Sequence, residues 1–217
     1  MTIEHLDRFF KIFIDSVNNV AAPYIRTVYG EMGMVAQMLN YYERRNMIGN
    51  DLVRTGERIF CYELYYQLRV RMDAETPNIF ENVFLQGELK KHQLEPLIKR
   101  FGLRRLSQGF IPDLLLHTPG NADDHPYVIE IKNNKSLEEQ ELFEDIDKIS
   151  EFICDYYYQR GVFLGVSISL NSLINLIKGS KQISKIPKIH EIKDRIIIVA
   201  RESEQIQADY ILLSKII

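Results

Sequence analysis

From Ile3 onward the apolar residues fall at helical spacing, with Leu6, Phe9, Phe10, Phe13 and Val17 on one face; Asn18, Asn19 and Pro23 then break the pattern. Two helices are predicted over residues 3–45. A third starts near Asn50 or Asp51, either of them a good N-cap, and runs through ERIFCYELYYQLRVRM. There Phe60, Leu64 and Leu68 recur every fourth residue, and Pro77 enforces an end. Past Pro77 the period shortens to that of strands: Ile79 to Leu85, Phe110 to His117, and Tyr127 to Lys132. The link LKKHQLEPLIKRFGLRRLSQG reads as helical or irregular. The turn TPGNADDHP at 118–126 is rich in Gly, Pro, Asn and Asp, which predicts a hairpin and makes the second and third strands antiparallel neighbours. Residues 137–159 return to helical spacing through Leu137, Leu142, Phe143, Ile146, Ile149 and Phe152; Gly161 stops that helix before an apolar strand, Val162 to Leu170. Ile196 to Ala200 and Tyr210 to Leu213 read as two further strands. No internal repeat or low-complexity tract interrupts the chain.

The 217 residues fit one compact domain, a helical extension over 1–50 joined to a domain over 51–217. With 46% hydrophobic and 26% charged residues the chain can bury a core. Lys and Arg total 27 against 30 Asp and Glu, a formal charge of -3, so no global positive field draws the protein to nucleic acid and any polyanion contact is local. No apolar run is long enough for a membrane helix. Glu4, Asp7, Arg8, Lys11 and Asp15 interrupt the apolar residues near Met1, which speaks against a signal peptide and for an amphipathic helix of a cytoplasmic protein. Cys61 and Cys154 lie in helical patterns without further cysteine partners, the expectation for two buried thiols rather than a disulfide framework or a zinc site.

Chemistry enters with the strand alternation. Ile111, Asp113, Leu115 and His117 share one side of the second strand, and Val128, Glu130 and Lys132 share one side of the third. If the hairpin brings those sides together, Asp113, Glu130 and Lys132 converge on one patch, with Lys132 about 6–7 Å along from Glu130. Two carboxylates and a backbone carbonyl form an open site for a hard cation such as Mg²⁺, and open positions are what a phosphate substrate needs. A neighbouring lysine can orient water or neutralise charge on the phosphate.

Pro112-Asp113, sixteen intervening residues and Glu130-Ile131-Lys132 resemble the PD-(D/E)xK nuclease superfamily. The resemblance spans residues 51–170 and implies an α/β fold of the restriction endonuclease-like kind, an αβββαβ core with a central mixed sheet flanked by helices. It also implies Asp113 and Glu130 as metal ligands, the carbonyl of Ile131 as a further ligand, and Lys132 as water-positioning base or stabiliser. Glu63, in the run CYELYYQLR, matches the auxiliary acid that the first helix supplies. Mg²⁺ is the implied cofactor, with Mn²⁺ as substitute, and nucleic acid, DNA before RNA, the implied partner. The family also places polar residues on the helix after the motif, and Gln159 and Arg160 stand at its end. The tripeptide alone is not specific, because Glu88-Leu89-Lys90 and Glu191-Ile192-Lys193 repeat it. Only the middle copy ends an alternating strand that follows another strand bearing an acid, and Glu88 competes as a further ligand.

Each element also has an ordinary reading. Glu130 and Lys132 can form an exposed ion pair, Asp113 can serve a turn-side hydrogen-bond network, Glu63 can be a plain helix former, and His117 an ordinary polar residue. Two basic stretches, 85–106 with Lys90, Lys91, Lys99, Arg100, Arg104 and Arg105, and 178–195, can contact phosphates or be solvated faces. Residues 137–151 hold seven acids and only Lys148, a face that repels nucleic acid or binds a protein. The tyrosines at 41–42, 62, 65–66 and 156–158 more often bury area than stack on bases. Two functions follow: a metal-dependent nuclease, as a possible homodimer through its N-terminal helices, and a nuclease-fold module of weak or no activity that binds nucleic acid or a protein. An unrelated α/β protein with surface ion pairs is the third reading.

Overall fold

The structure, a computed structural model, describes residues 1–25, 49–87, 111–118 and 125–217, with side chains from Glu57 onward in the helix that begins at Gly49. Helix α1 (Ile3–Asn19) is capped by Thr2, whose hydroxyl accepts the His5 N–H at 3.3 Å. It is followed by the short α2 (Ala22–Ile25) and, further on, by α3 (Gly49–Asp73). Strands β1 (Phe84–Gly87), β2 (Leu114–His117) and β3 (His125–Asn133) come next, then helix α4 (Glu139–Asp155) and strand β4 (Tyr158–Val166). Helix α5 (Leu170–Gly179), the single-turn α6 (Ile189–Ile192), β5 (Ile196–Arg201) and β6 (Asp209–Leu212) complete the order.

The strands form one six-stranded mixed sheet in chain order. β1, β2 and β3 are an antiparallel run; β3, β4 and β5 are parallel, and β6 returns antiparallel. Parallel neighbours need a crossover, supplied by α4 between β3 and β4 and by α5 and α6 between β4 and β5. Alternation along the strands sends Tyr127, Ile129, Ile131, Val162 and Leu164 into one core with Phe9 and Phe13 of α1 and Phe60, Leu64 and Leu68 of α3. Val128, Phe163 and Ile198 enter a second core on the opposite face with Leu142, Ile146 and Ile149 of α4 and Leu173 of α5. The result is a sheet between two helical layers, and α1 belongs to the same core as α3.

Two glycines let the second layer approach. A Cβ at Gly161 would lie 2.2 Å from Ile149 Cγ2, and one at Gly165 would lie 2.7 Å from Ile168 Cγ2. Gly161 thus sits inside β4 and seats α4, rather than ending the helix. The helix stops earlier, at Asp155, and Tyr157 turns the chain with a φ of 59°. Gln159 and Arg160 are consequently strand residues, not helix-end ones. Arg160 pairs with Asp7 at 2.7 Å and bonds the Tyr127 hydroxyl, on the α1 face of the sheet.

Two further differences have local causes. Residues 79–83 form a turn, in which Asn78 Oδ1 accepts the Phe80 N–H at 3.1 Å, so the first strand starts at Phe84. β4 ends at Val166, where Ser167 takes a φ of 64°, and Ser169 caps α5. The second N-terminal helix beyond Ile25, the basic residues from Lys90 to Arg105, Glu88, and most of the 118–126 turn lie outside the described residues. No helix among the described residues is long and apolar enough to cross a membrane.

Candidate functional site

The C-terminal half of β3 runs past the start of β2. Their pairing ends with Leu114 opposite Ile129, so the Ile131 N–H has no β2 backbone partner. The Asp113 carboxylate takes that place, accepting the Ile131 N–H through Oδ2 at 2.7 Å. In an extended strand the N–H and C=O of one residue point to the same side, so the Ile131 carbonyl is directed toward the same gap as Asp113.

Glu130, one residue earlier, points to the opposite layer from Ile131. Its side chain is buried (1% exposed) beneath α4, where the Lys148 ammonium meets Oε2 at 2.8 Å. Lys148 also reaches Asp145 Oδ1 at 3.3 Å, and Lys132 stands 3.5 Å from Asp145 Oδ2. Glu130 Oε1 is buried with no hydrogen-bond partner. The two side chains of β3 and the one preceding β2 are therefore brought together, as the alternation predicts, on the α4 side of the sheet.

Electrostatics show how closely the groups are joined. Burial raises the Asp113 carboxyl to about 7, against the pull of the Ile131 N–H, with Glu57 adding to the rise. Burial also raises Glu130 well above the usual carboxylate range, assisted by Asp113 and Asp145 and opposed by Lys148. Asp145 is raised by burial against the attraction of Lys132 and Lys148. Burial lowers Lys132, but Asp145, Glu57, Asp113 and Glu130 more than reverse this, and it stays a cation. Lys148 likewise ends above its ordinary value, held up chiefly by Glu130 and Asp145. Among the described residues, Glu57, Asp113, Glu130 and Asp145 gather around the Lys132 and Lys148 ammonium groups.

Helix α3 contributes Glu57, not Glu63. Burial raises Glu57, while Lys132 and the Asn133 backbone pull it down, so it borders the site at the end of β3. Six residues at about 100° each carry Glu63 well round the helix. There it accepts Gln67 Nε2 at 2.8 Å, and Gln67 in turn accepts Arg71. Asp145 and Lys148 are the other residues that the strand motif does not point to. A signal existed: Asp145 falls between Leu142 and Ile149 on the buried stripe of α4, where an apolar residue is the default. His117 is at the far end of β2, 2.5 Å from Gln86 Oε1 through Nε2.

Hard carboxylate oxygens, an unpartnered buried one among them, are the donor type a divalent cation takes. Among the described residues, however, no group of three or more His, Cys, Asp or Glu stands ready to hold a metal ion as arranged. Lys148 lies between Glu130 and Asp145 and supplies charge that a cation would otherwise provide. No family model, curated protein or solved structure matches the chain.

Proposed function

We propose that this protein is a metal-dependent nuclease of the PD-(D/E)xK kind that hydrolyses phosphodiester bonds in nucleic acid, DNA first. The observation that carries the reading is the convergence of Asp113, Glu130 and Lys132 in one cluster beneath α4 that includes the buried, unpartnered Glu130 Oε1. The order α3, β1, β2, β3, α4, β4 supports it as an αβββαβ succession. Asp113, Glu130 and the Ile131 carbonyl would hold Mg²⁺ or Mn²⁺, with Glu57 in the auxiliary place. When bound, the ion supplies Lewis-acid polarisation of the phosphate and lowers the pKa of water.

The chain's own groups do the rest. Asp113 stays locked to the Ile131 N–H, which fixes one carboxylate oxygen and leaves the other available. Lys132, partly exposed and surrounded by acids that keep it protonated, stabilises negative charge building on the phosphate; it is not the base. Asp145 orients that ammonium from below. A homodimer remains part of the proposal, because duplex cleavage needs two cuts. The α1 surface left for it is not the buried stripe but the side with Phe10 and Ile14, which line an open groove of about 680 Å³ with Tyr210 and Ile211.

A second reading, a module of this fold with little or no turnover, is favoured by the Lys148 bridge to Glu130. Incubating plasmid and single-stranded DNA with Mg²⁺ or Mn²⁺, using the unaltered protein, Asp113→Ala and Lys132→Ala, separates the two. Cleavage lost in both variants supports the nuclease. Cleavage unchanged in both removes this site from the chemistry. Absence of cleavage, together with a metal-induced rise in Tm that needs Asp113 and Glu130, favours the module.

A further inference from the structure

The two lysines of the site do different work. Lys132 is a quarter exposed and, among the described acids, lies at ion-pair distance from Asp145 alone, so its side chain is open to a ligand arriving from solvent. Lys148 lies deeper, 14% exposed, closing on Glu130 and Asp145 at once from one turn of α4. Glu130 then has one oxygen neutralised and the other buried without a partner. Like charges cannot share so small a volume, so a divalent ion drawn to Glu130 Oε1 meets the Lys148 ammonium as a rival for the same carboxylate. The lysine stem has four rotatable carbons, so its head group can withdraw without moving the helix. Asp145 keeps a counter-ion when it does, because Lys132 holds its other oxygen.

We propose that Lys148 is a built-in counter-cation that competes with a divalent ion for Glu130 and Asp145 and thereby sets how tightly this acid cluster binds metal. The inference rests on the metal-dependent reading above and adds to it a device that keeps the buried acids compensated when no metal is present.

The test is Mn²⁺ binding, followed by the loss of the free-ion EPR signal, in the unaltered protein, Lys148→Met, Lys148→Arg and Asp113→Asn. Lys148→Met is expected to bind Mn²⁺ at least about tenfold more tightly, since one repelling charge beside the ion is removed. Lys148→Arg, which keeps the charge, is expected to show no such gain. Binding by Lys148→Met that is no tighter than in the unaltered protein overturns the proposal. If Lys148→Met does not fold, the Lys148 ε-methylene NMR signal, identified by its disappearance in Lys148→Arg, replaces it. A shift of that signal on Mg²⁺ addition supports release of the ammonium, and a fixed signal despite Mg²⁺ binding overturns it. Asp113→Asn distinguishes the two claims: metal binding indifferent to this change defeats the nuclease site itself. Binding that needs Asp113 but ignores Lys148 defeats only the counter-cation. Tight binding in Lys148→Met alone supports the counter-cation and removes the metal-dependent activity of the unaltered chain; no binding in any of them overturns both.

Discussion

The two ends of β3 handle burial in opposite ways. At the N-terminal end aromatic and imidazole rings pack together. The His125 ring stacks on Tyr158 at 4.9 Å and 17°, Tyr158 meets Phe152 edge-on, and His117 is hydrogen-bonded to Gln86. Burial, with His125 nearby, lowers His117 to about 4, so it sheds its proton and stays uncharged at neutral pH. At the C-terminal end the described residues of the same sheet gather Asp113, Glu130 and Asp145 around Lys132 and Lys148, with Glu130 Oε1 and Asp145 Oδ2 buried without a hydrogen-bond partner. One strand thus meets burial with aromatic stacking at one end and with carboxyl groups raised by burial at the other. Strongly perturbed titratable groups gathered in one place make the C-terminal end the candidate functional site.

The largest effect expected from breaking this contrast is on catalysis. Glu130→Gln removes the buried charge while keeping the shape, and should reduce metal-dependent DNA cleavage by about 10²–10³-fold, as for loss of a main electrostatic contributor. A steady-state cleavage assay of the purified variant checks it. Asp113→Asn should do the same to cleavage and yet stabilise the metal-free protein above pH 7, by up to about 4 kcal/mol, because an amide still accepts the Ile131 N–H and needs no charge. Urea unfolding at pH 8 without metal measures this, and a destabilised variant contradicts the account.

Packing ranks next. Gly161→Val inserts a side chain where Ile149 already lies, so α4 must move off the sheet and carry Asp145 and Lys148 with it. A loss of about 1–3 kcal/mol is expected in equilibrium unfolding, accompanied by weaker Mn²⁺ binding.

The pH dependence of stability sharpens the comparison further, since the two ends have opposite signs. The folded pKa of His117 is depressed, so its contribution is present above about 6.5 and is lost as pH falls toward about 4. The folded pKa of Asp113 is raised, so its contribution is complete below about 3.8 and is lost as pH climbs through about 7. Between these limits His117→Gln should flatten the rise of Tm with pH, and Asp113→Asn should steepen it. Tm measured from pH 4 to pH 8 in the three proteins decides. The smallest effect is reserved for the helix acids: Glu63→Gln should change cleavage and stability by less than about 0.5 kcal/mol, whereas Glu57→Gln should weaken Mn²⁺ binding.

The sequence was legible where periodicity and chemistry coincide. Alternation in Val128, Glu130 and Lys132, with a hairpin-type turn before them, was enough to place β2 beside β3 and to bring Asp113 to the same patch. The stripe Phe60, Leu64 and Leu68 located α3. Helix α5 was missed because Val162 to Leu170 reads as one largely apolar strand; the polar Ser167, with its positive φ, and the capping Ser169 mark the division. Glu57 and Glu63 are indistinguishable by composition; only the point at which α3 passes the end of β3 chooses between them. Lys148 was assigned to an exposed acidic face because charge counting along a helix does not reveal which turn is pressed against the sheet. The seat that Gly161 provides for Ile149 settles that turn, and it is a property of two elements together.

The most direct measurement of the central claim is a crystal of the protein soaked in Mn²⁺ and measured at a wavelength where manganese scatters anomalously. An anomalous peak is expected between Asp113 and Glu130 Oε1, with the Lys148 ammonium withdrawn from Glu130. Crystals that take up no manganese there, with Lys148 still bridging Glu130 and Asp145, contradict it.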